Sequence, residues 1–540
     1  MRVRPGLVLA AVFASLLVPS GAPGAPNAPN ESANRHWIGV RERGDVRELF
    51  DRRSGNRFVP RGSNLLMKVR EGDHWASSLF RPRNWNQKRV RKELTGMKRL
   101  GYNTVRVFID LCQVDCISTS GGSIRRPYAK NIAAFLRIAR KKGLVVMLAS
   151  NDVPDRGYSN RLPCCSPFGG YRNSLWLTRK GHNILMEYWA EVVRALRRER
   201  APLQVVIYQL QQEHFLLEDV EPLSLAGGSV TTADGETYDM ADPQQKTEMV
   251  ESNVRLAARR ARAAIRRLDP GALVTMGFFA RFDGDPRVVP SQAMLESSAL
   301  DLVDLHLYPG VGHDLQNQVD AIGLSDAVEK PVVMGEFGAF RFAYANPRVG
   351  AYSLAHWQAD SCAFGFDGWL TWLWAKDDDE VFGTREGGGV IGRQLSPVLQ
   401  PDPCSAEGVP ANLALGASAT ASASLPEGPP GHAIDGLFET GWGAGGFPPQ
   451  WIQIDLGAVR SVHEIYLAVD QFPAGDTRHR LLLAGADGVF TLADEFEGRT
   501  EPGDVLSFRP PVPVTARFVR VETLSSPSWV GWHEIQVYGE

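Results

Sequence analysis

Several things are missing from this 540-residue chain, and each absence narrows its function. Only one apolar run stands out, Leu7 to Val18, and it is too short to span a bilayer, so no transmembrane segment is expected. Net charge is only −2, which gives no general pull toward nucleic acid or acidic membranes. No cysteine follows the apolar run, so a lipid anchor there is not suggested. The six cysteines include neither two CxxC units nor a neighbouring histidine pair, which argues against zinc. No internal repeat is present. No glycine-rich phosphate loop follows the first strand-like run, which reads RGSNLL, and that counts against a doubly wound nucleotide fold.

What is present begins with a leader. "MRVRPGLVLAAVFASLLVPSGAPGA" places two arginines before the apolar run and small residues after it, the layout of a secretory signal peptide over 1–25. Residues 26–34 read as a disordered lead-in. The expected location is therefore extracellular or periplasmic. An even number of cysteines in an exported chain permits several disulfide pairings. Cys362 with Cys404 is the preferred pair, because both flank the end of the first large domain. Cys112, Cys116, Cys164 and Cys165 lie in two loops that they could bridge.

From about residue 58 to 400, β-rich apolar runs alternate with amphipathic helical stretches. The runs are 58–66, 103–111, 144–152, 204–213, 272–279, 302–309, 331–338 and 368–374. Eight such alternations predict a (β/α)8 TIM barrel over 35–400, with 35–57 adding a hairpin that closes its floor. The arginines of "VRLAARRARAAIRRLDPG" read as the solvated face of an amphipathic helix. A proline-rich break at 401–411 is followed by short β-runs with no helical pattern. This predicts a separate all-β sandwich over 412–540.

In such a barrel the chemistry sits at the C-terminal ends of the strands. Those ends carry Asn64, Arg106, Asp152, Glu213, His306, Tyr308, Glu336, Trp372 and Trp374. Glu213 and Glu336 each close an apolar run, where a charge is costly without a use or a partner. Paired carboxylates across a barrel mouth suit glycoside hydrolysis, with one protonated to donate and one ionised to attack. Arg106, between Val105 and Val107 in a buried strand, needs an anionic partner, and Glu336 would supply it. His306 and Tyr308 share one side of their strand, and Trp372 and Trp374 share a face on which a sugar ring could stack. The expected division of labour is a Glu213 whose pKa is raised beside an ionised Glu336. Asp377, Asp378 and Asp379 read as a solvated loop.

The motifs "RGSN", "GYNTVRVF", "HLYP", "VVMGEFG" and "GWLTWLW" make residues 35–400 resemble clan A glycoside hydrolases, most closely glycoside hydrolase family 5. The resemblance implies a retaining β-glycosidase acting on a poly- or oligosaccharide of the β-glucan or β-mannan class. Glu213 would be its acid/base and Glu336 its nucleophile, supported by Arg106, His306 and Tyr308, with Trp372 as the strand-8 tryptophan. The family usually has Asn-Glu-Pro where this chain has Gln212-Glu213-His214. Gln212 carries the same amide one methylene farther out. It could reach the sugar 2-hydroxyl from a shifted backbone, fit a different sugar, or mark lost activity.

"NLALGASATASAS", "HAIDGLFETGW", "QWIQIDLG", "RFVRVE" and "HEIQVYG" make 412–540 resemble the coagulation factor 5/8 type C, or discoidin, domains, which include family 32 carbohydrate-binding modules. This implies a glycan or cell-surface partner and a structural Ca²⁺ at Asp435, Thr440 and Glu534. Trp529, Trp532, His479 and Arg480 are candidate sugar contacts. The whole is expected to act as a monomer. The alternatives are an inactive polysaccharide-binding barrel and a cell-surface glycan-binding adhesion protein.

Overall fold

The computed structural model describes residues 35–44, 46–67, 79–109, 115–162, 167–295, 297–324, 330–376, 378 and 380–540. The leader and lead-in therefore lie outside the described residues, as do Cys112, Cys164, Cys165, Asp377 and Asp379.

Nine parallel strands form the first large sheet. In order they are Leu273–Thr275, Val206–Gln209, Val145–Ser150, Thr104–Ile109, Arg61–Asn64, Phe366–Thr371, Val332–Phe337, Val303–His306 and Gly277–Phe279. The first and last are two pieces of one segment, parted only at Met276, so the sheet curls round to near closure and resembles a barrel. Its strands are buried on both faces, with every residue of Thr104–Ile109 and Val332–Phe337 out of solvent, as helix-covered parallel strands require.

The covering helices have legible ends. Asn86 accepts from Arg89 N at the start of Gln87–Arg99, which buries Val90, Leu94 and Met97 and ends on Lys98 and Arg99. Asp242 caps Pro243–Leu268, with Pro243 in its first turn. The arginine face of that helix is more than solvated. Arg262 and Arg266 both grip Asp301, at 2.6 and 2.8 Å, and tie the helix to the sheet.

The hairpin Ile38–Arg43 with Val46–Asp51 covers the N-terminal end of the strands. There Trp37 N donates to Gln204 O (2.8 Å), His36 meets Asp269 (2.9 Å), and Ile38 and Leu49 pack on Val145, Ile207 and Leu273.

A second, antiparallel sheet system runs from Ala411–Asn412 to Gly531–Gly539. Its long strands Gln450–Asp470, Gly475–Ala484 and Val514–Ser525 alternate buried and exposed residues around a core that includes Trp442, Ile465, Leu481, Val519 and Trp532. Cys362 and Cys404 form a disulfide, and Cys116 is also disulfide-bonded. No helix among the described residues is long and apolar enough to cross a membrane.

Candidate active site

Arg106 is the hub. Its guanidinium is fully buried at the centre of Thr104–Ile109, and each of its nitrogens is used. Nε donates to Gln209 Oε1 (2.7 Å), Nη1 to Asn64 Oδ1 (2.8 Å) and to Glu336 Oε1, and Nη2 to the Gln212 carbonyl (3.3 Å). A planar fork with five donors suits this, because it reaches acceptors from three other strands at once. Gln209 passes the chain on by donating to Asp304 Oδ2.

Glu336 lies within Val332–Phe337 and is nearly buried. Besides Arg106 it accepts from Tyr308 Oη at 2.9 Å. Glu213 stands four residues beyond the end of Val206–Gln209, in a bend, and its side chain is 27 % exposed. Its Oε1 is 2.8 Å from His306 Nδ1, and the same nitrogen is 3.4 Å from Glu336 Oε2. A carboxylate oxygen of Glu213, one of Glu336 and a ring nitrogen of His306 all lie within 4.8 Å of one another.

The charges settle differently from the sequence expectation. Burial would lower His306, but the charge of Glu336 and the carboxylates of Asp304 and Glu213 raise it to about 9. Burial pushes Glu213 up, but the bond and charge of His306, aided by Arg106 and Arg287, hold it below its ordinary value. Burial pushes Glu336 up, against the pull of His306 and Arg106. So the resting site has the order reversed: Glu213 lowered and Glu336 raised. At Glu336 burial outweighs the neighbouring cations, whereas at Glu213 the closer bond and charge of His306 outweigh burial.

Other expected residues divide. Trp372 borders the mouth, edge-on to Phe108 with ring centres 6.0 Å apart. Trp374 does not share its face. The strand ends at Thr371, so the two-residue alternation stops there, and Trp374 is buried against Tyr102 while its indole N–H donates to Glu93 (3.0 Å). Gln212 keeps its backbone in place through Ser150 O (2.8 Å), and its side-chain Oε1 is buried with no hydrogen-bond partner among the described residues. Asp378 caps its own turn by accepting from Glu380 N and Val381 N. Gln209 and Asp304 escaped the sequence reading. Their signal was a polar residue inside an otherwise apolar strand, the same signal that exposed Arg106.

In the second domain, Glu534 is fully buried. Its Oε1 accepts from Gly436 N (3.1 Å), while Oε2 has no partner among the described residues. Burial and the nearby charge of Asp435 raise its pKa to about 9. Thr440 Oγ1 is 2.9 Å from each Asp435 oxygen and from the Leu437 carbonyl, and 3.3 Å from that of His432. This all-oxygen set with one orphaned carboxylate oxygen fits a hard cation. Of the candidate sugar contacts, Trp529 is exposed, and Arg480 is engaged with Glu495 at 2.8 Å. Trp532 and His479 are buried against each other and cannot meet a sugar at the surface, since alternation turns both side chains into the sandwich core.

Residues 418–536 match the F5/8 type C domain. Similar solved structures include the family 32 CBM of C. perfringens NanJ in complex with galactose, at 22% identity over 23% of this chain and 93% of that one (TM-score 0.21). Another is chitosan-binding module 1 of a chitosanase/glucanase from Paenibacillus sp. IK-5, at 26% identity over 24% and 99% (TM-score 0.22). The endo-1,4-beta-mannanase of Rhizomucor miehei is similar at 14% identity over 67% of this chain and 100% of that one (TM-score 0.48). No curated protein matches the chain.

Proposed function

We propose that the protein is a secreted, retaining β-glycoside hydrolase acting on a poly- or oligosaccharide, with a β-glucan or β-mannan as the favoured class. In this reading, residues 35–400 are a (β/α)8 catalytic domain, 401–411 a linker and 412–540 a glycan-binding module. One observation carries the proposal: two carboxylates with oxygens within 4.8 Å at the C-terminal ends of parallel strands, one fed by Arg106 and Tyr308 and the other by His306. Carboxylates this close suit direct attack by one of them, whereas inverting enzymes hold theirs farther apart to leave room for a water.

Glu336, its charge matched by Arg106, attacks the anomeric carbon. Glu213 delivers a proton to the leaving oxygen, then takes one from the water that releases the glycosyl-enzyme. The proton Glu213 needs is stored next door. His306 holds it at rest, and a shift across the 2.8 Å bond leaves neutral imidazole beside protonated Glu213. Asp435, Thr440 and Glu534 would hold a structural Ca²⁺ in the sugar-binding module, where the ion would neutralise buried carboxylates.

The test is hydrolysis of aryl β-glycosides and polysaccharides by purified protein, with the product anomer followed by NMR. A β-product formed first supports retention; an α-product overturns it. The Gln212 Oε1, unpartnered among the described residues, and the lowered Glu213 favour one other reading, a barrel that binds polysaccharide without cleaving it. Binding without any hydrolysis would establish that instead.

A further inference from the structure

The sandwich is joined to the barrel-like domain through a continuous core. Tyr466 and Tyr538, both from the sandwich, pack into the apolar cluster of the first domain, with Tyr538 5.9 Å from the Tyr352 ring. Beside them Glu464, nearly buried, is met by Arg348 (3.7 Å) and Arg509 (3.3 Å) and accepts from Tyr466 and Tyr352. The connecting segment is fastened as well. The Val409 carbonyl meets His356 Nε2 (3.0 Å), the Pro403 carbonyl accepts from Gln358 (3.2 Å), and Cys404 is bonded to Cys362. All three anchors lie on or just beyond helix Pro347–Ser361. A module on a free tether would have none of these contacts.

The joint reaches the candidate active site through one loop. Residues 338–346 run from the strand that carries Glu336 to that helix. Within the loop, Phe340 lies against Tyr308, ring centres 5.0 Å apart, and Tyr308 donates to Glu336. Ala343 sits so close to Gly310 that a Cβ on the glycine would come within 2.6 Å of the alanine's own. The Ala343 carbonyl accepts from Gln536 Nε2 at 3.3 Å. Gln536 belongs to the sandwich, is buried, and is itself oriented by Tyr538 Oη at 3.4 Å. The far side of the loop is held by Arg341, which donates to the Asp378 carbonyl (2.8 Å) and to Glu386 (2.6 Å).

We infer that Gln536 is a positioning residue for the hydrolase. The sandwich buttresses the loop that follows the Glu336 strand and, through Ala343 and Phe340, holds Tyr308 against Glu336. The inference rests on the hydrolase reading above, so its test carries a second readout that does not need activity. Full-length Gln536→Ala and Tyr538→Phe would be compared with wild type, the second keeping the ring's packing while losing the hydroxyl that orients Gln536. On a soluble aryl β-glycoside, kcat should fall about three- to tenfold for Gln536→Ala, and less for Tyr538→Phe, with KM little changed, because a displaced supporting group weakens the transition state more than binding. Amide hydrogen exchange in 338–346 should quicken in both, while that in Gln450–Asp470 stays protected. A lower melting temperature with wild-type kcat and unchanged exchange in 338–346 would make the joint mere cement and overturn the inference. If wild-type protein hydrolyses nothing, the hydrolase reading falls, and exchange in 338–346 still decides whether Gln536 holds the loop.

Discussion

His306 Nδ1 lies 2.8 Å from Glu213 Oε1 and 3.4 Å from Glu336 Oε2, so one imidazole bridges both acids of the candidate site. This sets a pH dependence of stability. Against the effect of burial, the charge of Glu336 and the carboxylates of Asp304 and Glu213 raise His306 from its ordinary value of 6.5 to about 9. A group held protonated by the fold adds stability that is complete below its unfolded pKa and disappears as pH rises through its folded one. The melting temperature should therefore decline between about pH 6.5 and about pH 9, and His306→Gln should flatten that decline. Calorimetry across this range checks it; an equal decline in the variant would mean other groups are responsible.

The two glutamates should separate by chemistry. Glu336→Gln should abolish turnover, since an amide cannot attack the anomeric carbon. Glu213→Ala should slow hydrolysis least for glycosides with good leaving groups, and azide should restore part of the rate by attacking the stalled intermediate. Wild-type activity in Glu336→Gln would remove that residue from the mechanism.

Arg106 shows why part of the site could be read from sequence. An arginine between two valines in a strand buried on both faces has to find an anion, and Glu336 is the acid near the end of a strand three places round the sheet. Trp374 shows the limit. Its place depends on where the strand stops, and "GWLTWLW" continues its pattern past Thr371 although the ladder does not. The split of 272–279 at Met276 was equally hidden, because both pieces are apolar. It follows from contacts with the neighbouring segment, where Gly277 N donates to Gln211 O and Gly277 O accepts from His214 N. The reversed charge order at Glu213 and Glu336 depends on distances to His306 that no spacing encodes.

Gln212 gives the proposed activity a direct test. Its Oε1 is buried and without a partner among the described residues, an arrangement that is costly unless a ligand completes it. Gln212→Ala should lower kcat by about tenfold or more, as expected for one lost transition-state hydrogen bond. Gln212→Asn should also lower it, because the strand end cannot move to compensate: a Cβ at Gly277 would already lie 1.9 Å from the Gln212 carbonyl oxygen. For the same reason Gly277→Ala should disturb Gln212 and depress kcat. Full activity in Gln212→Ala would show that the amide only packs.

The sandwich makes its own prediction through Glu534. With burial and Asp435 raising its pKa to about 9, Glu534 is protonated at neutral pH when no cation is present. A Ca²⁺ ligand must be ionised, so binding should release about one proton per ion near pH 7. Calorimetric titration of chelator-treated protein in two buffers of different ionisation enthalpy measures that release directly, and Glu534→Gln should abolish it. An ion that binds only the folded form stabilises it, so on this reading EDTA should lower the melting temperature of the wild type and leave Glu534→Gln unmoved. Calcium uptake without proton release would place the ion elsewhere. An unchanged melt in EDTA, with no metal found by elemental analysis, would remove calcium from this domain, and the orphaned Glu534 oxygen would then be a carboxylic acid kept neutral by its surroundings.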